Sequence, residues 1–510
     1  MVVAISNQPV TGDVGTTERE RIGALQWLET CRFTAEIGLS VRMSDYCADC
    51  LQNRPPGDLG TYSALGASAV EAFQEITDVW TKIVGGTPGN RALYFPLTHV
   101  CILRGPVKRL REFLESPIVE SAESPVVGLL CGHALMTPEA ARDATLARTL
   151  LEGDFRKTIE RYGDECYDMG RRQTSRESVY ALASGMSLPS GAMSELMRLM
   201  RRWSGLQLDE DEVDDFPSGS EFDYLESLGI GSARSWGESP GLGQTVCIID
   251  SGADESHPML QRQVKHYVRF DTYGHEKEAY ACMDHACHGS KIAGWICGRP
   301  VSSADLDLDF DSRIRLGIAP GAKAVVVSAL SGDLMAETAT LSQLFAGLEY
   351  AFDSSVTNGH EIVNISIEGL ESMTSEGYRT WDRMLQTMKR CGLVPILAAG
   401  NRGPLSRPLG TQGCYVGVFD QNGVPSSDNG PNVTLLAPGK NLFCAHPRVP
   451  RLNGTLIGRF SGSSLSAAIV SGAVALVAAA KRVSASRALE AIEATARDKK
   501  INIDDALRSL

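Results

Sequence analysis

The sequence predicts an α/β fold for its second half, a parallel sheet with helices on both faces, preceded by a mostly α-helical domain. Three features carry the prediction. From Gly317 onward, short apolar strands alternate with helical periods, the pattern of a parallel sheet covered on both sides. Residues 245–249 are an unbroken apolar, β-branched run, as a strand buried on both faces requires. Residues 465–480 form a helical run almost without charge, rich in Ala, Val and Leu, which marks a core helix.

Residues 1–16 read as a tail, and MVVAISNQPVTGD lacks both the basic start and the sustained apolar stretch of a signal peptide. Residues 17–205 read as a helical interaction or regulatory domain. Thr17 and Glu20 make a capping box ahead of Ile22, Leu25 and Leu28. Val70, Phe73, Ile76 and Trp80 mark a second amphipathic helix, and Thr137-Pro138-Glu139 opens a third. Further helical periods cover 155–169 and 193–203. The acidic run LDEDEVDDF and the Gly/Ser-rich segment after it resist compaction, so residues 206–240 read as a linker and 241–510 as the second domain. There, strands are expected at 324–329, 361–366 and 394–399, and helices at 340–352, 375–391 and 485–496.

Composition excludes several classes. At 510 residues with 43% hydrophobic and 22% charged content, the chain is long enough for two or more packed domains. A net charge of −13 argues against nucleic acid as a partner. No run reaches the ~18 apolar residues of a membrane span. The 13 cysteines form no compact framework, so reduced thiols and an intracellular, cytoplasmic location are expected. Cys47 and Cys50 form a C-x-x-C without a second pair, and Cys282, His285 and Cys287 cluster beside His288. Packing of small apolar thiols accounts for these residues as well as a metal does, so no metal site is expected.

The chemistry-bearing stretches occur in a set order. QTVCIIDSGADESHP is a buried strand ending in Asp250, with Ser251-Gly252 turning the chain at once. HACHGSKIAGWICG places His288 before a helix of small residues. GRFSGSSLSAAIVSG places Ser464 where a glycine turn meets the core helix, beside free backbone N–H groups and the positive end of the helix dipole. Asp, His, then Ser, each at the start of a loop or helix, is one order in which a serine hydrolase assembles a triad.

With these motifs the region 240–500 resembles the subtilisin-like serine proteases. IIDSGADESHP, HGSKIAG and SGSSLSAAIVSG are similar to that family's Asp, His and Ser motifs. GIAPGAK and LAPG resemble two of its turns, PILAAGN the strand that ends in an oxyanion-binding asparagine, and VNISIEG the strand that pairs with substrate backbone. The resemblance implies a serine endopeptidase acting on protein or peptide substrates without a required cofactor. It implies Ser464 as nucleophile, His288 as general base and acid, Asp250 as orienting carboxylate and Asn401 as oxyanion donor, with Ser366, Ile367 and Glu368 binding substrate. The chemistry needs these types: a serine hydroxyl attacks only once a base takes its proton, and the imidazolium needs a carboxylate.

Departures from the family pattern bear on activity. Ala468 and Ile469 replace a proline and a histidine, and Lys291 replaces a second histidine. The substrate strand reads Ser366-Ile367-Glu368 in place of Ser-Leu-Gly. A carboxylate at Glu368 either lines the pocket before the scissile bond, favouring lysine or arginine, or turns outward to solvent. The family often binds calcium, and Asp305, Asp307, Asp309 and Asp311 alternate as oxygen ligands or as one side of a half-exposed strand would. The secreted members carry a small α/β pro-segment, which 17–205 does not resemble. The other function class is a weak or inactive adaptor that keeps the fold and acts by protein binding, a role for which 17–205 would supply a partner surface.

Overall fold

The computed structural model describes residues 37–43, 92–95, 100–105, 119–123 and 126–130 of the first half. It also describes 240–510 apart from 271–275, 278–283, 285–287, 307, 309–312, 331–337, 370–374, 402, 407–409, 421 and 448–455. The first half contributes strands β1 (Ile37–Met43), β2 (Ala92–Phe95), β3 (Val100–Gly105), β4 (Val119–Glu123) and β5 (Val126–Leu130). The second half continues with β6 (Thr245–Asp250), β7 (Val264–Phe270), β8 (Glu276–Lys277), helix α1 (Gly289–Cys297), β9 (Val301–Ser302), β10 (Arg313–Ile314), β11 (Lys323–Ser328) and β12 (Thr338–Thr340). Helix α2 (Leu341–Asn358) leads to β13 (Ile362–Ile365) and β14 (Ile367–Gly369), and α3 (Ser375–Arg390) to β15 (Val394–Ala398), β16 (Cys414–Phe419) and β17 (Leu435–Pro438). The hairpin β18 (Leu442–Ala445) and β19 (Ile457–Phe460) precedes α4 (Ser463–Lys481), α5 (Ala485–Thr495) and α6 (Ile503–Ser509).

The main sheet runs β17-β16-β15-β13-β6-β11-β7-β8, parallel throughout except for the antiparallel edge strand β8. Alternation along each strand divides the core. Val246, Ile248, Val326, Ile396 and Val416 face a layer built by α1, α4, α5 and α6. Cys247, Ile249, Val327, Val363 and Leu397 face α2 and α3. Strands covered on both faces carry few polar residues, which is why they read as nearly continuous apolar runs. The expected parallel sheet with helices on both faces is therefore present, with element boundaries shifted by a few residues. Helix α4 is long and apolar enough to cross a membrane, but 89% of that window is buried in the protein, as a core helix would be.

The described residues of the first half are strands, and the helices expected within 17–205 are not among them. Those helical stretches lie outside the described residues. Strands β2-β3-β1-β4 form one sheet, with β3 antiparallel to both β1 and β2 and β4 antiparallel to β1. IGLSVRM alternates apolar residues with small or polar ones, and VCILRG is a short apolar run, both patterns that suit strands. Strand β5 joins the second half: it lies between β12 and β14, antiparallel to both, with Leu130 opposite Ile367, Leu129 opposite Glu368 and Gly128 opposite Gly369.

Candidate active site

Asp250 closes β6, Ser366 follows β13, and Asn401 follows β15, so three of the singled-out residues stand at the carboxyl ends of neighbouring parallel strands. This is the edge at which open α/β sheets bind ligands. His288 is the N-cap of α1, and its Nδ1 lies 2.8 Å from Asp250 Oδ1, with side chains only 4% and 0% exposed. The same Asp250 oxygen accepts the Ser251 backbone N–H at 2.7 Å. In so dry a setting the contact with the carboxylate fixes the orientation of the ring. Close approach depends on Gly289: a Cβ there would collide with the Gly252 carbonyl and stand 3.1 Å from Asp250 Oδ1.

Ser464 lies in the first turn of α4 and is 1% exposed. The preceding residue ties the helix to Asn401: the Ser463 N–H donates to Asn401 Oδ1 at 2.8 Å, and Gly400 N–H donates to Ser463 Oγ at 3.1 Å. The other end of that amide, Asn401 Nδ2, is buried with no hydrogen-bond partner among the described residues. A buried donor left open beside a helix N-terminus suits a developing negative charge. Gly400 has φ +93°, and a methyl group on it would strike Glu368 Oε2 and Ser406 Oγ, so glycine is required there twice over. Helices α1 and α4 pack directly: a Cβ at Gly472 would sit 3.3 Å from the Ile296 carbonyl oxygen.

The three residues expected to bind substrate, Ser366, Ile367 and Glu368, all lie in the interior. Ser366 is buried and its Oγ accepts from Asn364 Nδ2 at 3.0 Å, while Asn364 Oδ1 accepts from Ser471 Oγ of α4 at 2.9 Å. Ile367 is in the core. Glu368 is 4% exposed and packs against Gly400, so the outward-turned alternative is excluded. Lys291, where the family places a second histidine, is buried with its ammonium 3.2 Å from the Phe460 ring centroid. Ala468 and Ile469 are core residues of α4.

Other expectations fare differently. Asp305 stands at a 3₁₀ turn rather than on a strand, and its Oδ2 accepts from Ser302 N–H and Oγ. These bonds hold its carboxyl below the usual range. Asp307, Asp309 and Asp311, together with Cys47, Cys50, Cys282, His285 and Cys287, lie outside the described residues. Cys297 and Cys444 are buried thiols, pushed up to about 12 by desolvation, which leaves them as inert packing groups. Sequence reasoning missed Asp284, Ser251, Asn364 and Ser471. The only signal for Asp284 was a carboxylate shortly ahead of a helix start.

Comparison with known proteins identifies the family of the second half. The model of the Subtilase family (Peptidase_S8) matches residues 241–507. An intracellular serine protease of Paenibacillus polymyxa is 26% identical over 52% of this chain and 74% of its own length. The major intracellular serine protease of Bacillus subtilis is 26% identical over 49% and 73%, and a thermophilic serine proteinase of Bacillus sp. strain AK1 is 28% identical over 52% and 57%. Among solved structures, fervidolysin from Fervidobacterium pennivorans, a keratinolytic enzyme related to subtilisin, shares the fold with a TM-score of 0.52 at 16% identity. That likeness covers 93% of this chain and 61% of that one. Through residues 241–507 the chain belongs to the subtilase family, a family of serine-type endopeptidases.

Proposed function

We propose that the chain hydrolyses peptide bonds with Ser464 as nucleophile, His288 as general base and then acid, Asp250 as the orienting carboxylate, and Asn401 with the Ser464 N–H as oxyanion donors. The observation that carries this reading is the buried 2.8 Å contact between His288 Nδ1 and Asp250 Oδ1 at the end of a central strand. With Nδ1–H committed to Asp250, Nε2 is the basic nitrogen left to take the Ser464 proton. As the tetrahedral oxyanion forms, the open Asn401 Nδ2 and the N-terminus of α4 supply donors that need no reorganisation. The proton then passes from His288 to the leaving amine, and water repeats the sequence on the acyl-enzyme.

Substrate enters as an extended strand on β14, which ends at Gly369. The antiparallel pairing of β5 on that same strand supports this mode of binding. It also supports regulation by the first half of the chain: while β5 is on β14, an external peptide cannot pair with that edge of the strand. The inward-turned Glu368 supports a preference for lysine or arginine before the scissile bond. The names of two relatives, both intracellular serine proteases, support action inside the cell.

The deciding experiment is labelling with a fluorophosphonate probe alongside peptide hydrolysis, for wild type and Ser464→Ala. Labelling and turnover by the wild type, both lost in Ser464→Ala at unchanged Tm, are expected. A wild-type chain that neither labels nor hydrolyses after removal of residues 1–205 would establish the adaptor reading instead.

A further inference from the structure

The assembly around His288 contains a second buried carboxylate, Asp284, which is 4% exposed and pairs as an isolated bridge with Gly252. The N-cap position of α1 is occupied by His288, whose side chain makes no cap hydrogen bond. Asp284 and Ser251 cap the helix in its place. The Ser290 N–H donates to Asp284 Oδ2 at 2.7 Å, and the Gly289 N–H donates to Ser251 Oγ at 3.0 Å. Ser251 Oγ in turn lies 2.6 Å from Asp284 Oδ1 and 3.2 Å from Asp250 Oδ1.

One hydroxyl carries one proton, so Ser251 can serve only one of the two carboxylates at a time. We infer that Asp284 is a positioning residue for catalysis: it draws the Ser251 hydroxyl proton to itself and thereby keeps Asp250 Oδ1 committed to His288. The shorter distance favours Asp284 as the acceptor. Asp250 Oδ1 already accepts from Ser251 N–H and faces His288 Nδ1. A further donor on that oxygen would spread its charge over three bonds and weaken its hold on the imidazolium, leaving His288 a poorer base.

This inference rests on the catalytic roles proposed above, and Asp284→Asn separates it from simple scaffolding. The amide has the same shape and can still accept from Ser290 N–H through its oxygen. Its NH2, however, donates to Ser251 Oγ and turns the hydroxyl proton toward Asp250. The expected result is a roughly ten-fold loss of kcat, the scale of one hydrogen bond to a charged group, with KM unchanged. In the proton NMR spectrum, the low-field signal of the His288 Nδ1–H should move upfield. In a Ser251→Ala background, Asp284→Asn should change neither quantity. Wild-type kcat and signal in Asp284→Asn, or an equal loss in both backgrounds, overturns the inference.

If Asp284→Asn does not fold, Ser251→Ala alone still decides. An unmoved low-field signal supports the inference, and a further downfield shift shows that the hydroxyl was donating to Asp250 all along. Ser464→Ala runs in the same series. Activity surviving there refutes the assigned nucleophile, while the NMR readout, which needs no turnover, continues to report on Asp284.

Discussion

Replacing Asn401 by alanine removes two interactions that the structure separates. Oδ1 accepts the Ser463 N–H at 2.8 Å, a structural bond at the start of α4, and Nδ2 is the buried donor left open. Loss of the first costs about 1 kcal/mol of stability, a fall of roughly 2–4 °C in Tm for a domain of this size. Loss of the second is expected to leave the ground state unaffected, because Nδ2 has no partner among the described residues and in the proposed role gains one only in the oxyanion. Removing one such donor from a subtilisin costs about 10²–10³ in kcat, roughly 3–4 kcal/mol of barrier, and that scale is expected here. Steady-state hydrolysis of a peptide amide should therefore show the loss in kcat, with KM within about two-fold of wild type. A loss below about ten-fold, or one residing in KM, would refute the assignment of Asn401 as a transition-state donor.

Gly128→Pro removes an N–H from the middle strand of a three-stranded ladder, where each amide faces one neighbour or the other. It should raise kcat/KM for an added peptide, and an unchanged value would show that β5 does not compete with substrate. Glu368→Gly should lose a preference for lysine or arginine in a peptide library, whereas identical profiles for the two proteins would remove Glu368 from specificity. Burial, which is the larger cause in both, pushes the His360 imidazole down to about 4 and, together with the charge of Lys291, His446 to about 3. Both rings stay neutral in the fold while the unfolded chain takes up protons below about 6.5, so the stability they contribute is complete above that pH and is lost as pH falls. Between pH 7 and 5 the loss should be roughly 2 kcal/mol per histidine. Thermal unfolding of His360→Gln, which keeps a donor for the Ala351 carbonyl but does not titrate, should show a shallower pH dependence of Tm than wild type.

The sequence by itself determined the architecture of 241–510, because residues buried on both sheet faces leave an unmistakable apolar run. It also indicated Asp250, His288, Ser464 and Asn401, since each stands at a junction whose glycine or helix start is written beside it. The first half was less legible. Its short strands form no sheet that sequence periodicity can reveal, because the pairing of β5 with β14 joins residues more than two hundred positions apart. Only the tertiary structure decided that Glu368 turns inward against Gly400, a contact set by the left-handed backbone of a different strand's end. The role of Asp284 was equally hidden. Whether a carboxylate near a helix start caps that helix, faces water or governs a neighbouring proton depends on what the fold brings opposite it, and here that is Ser251, 33 residues away.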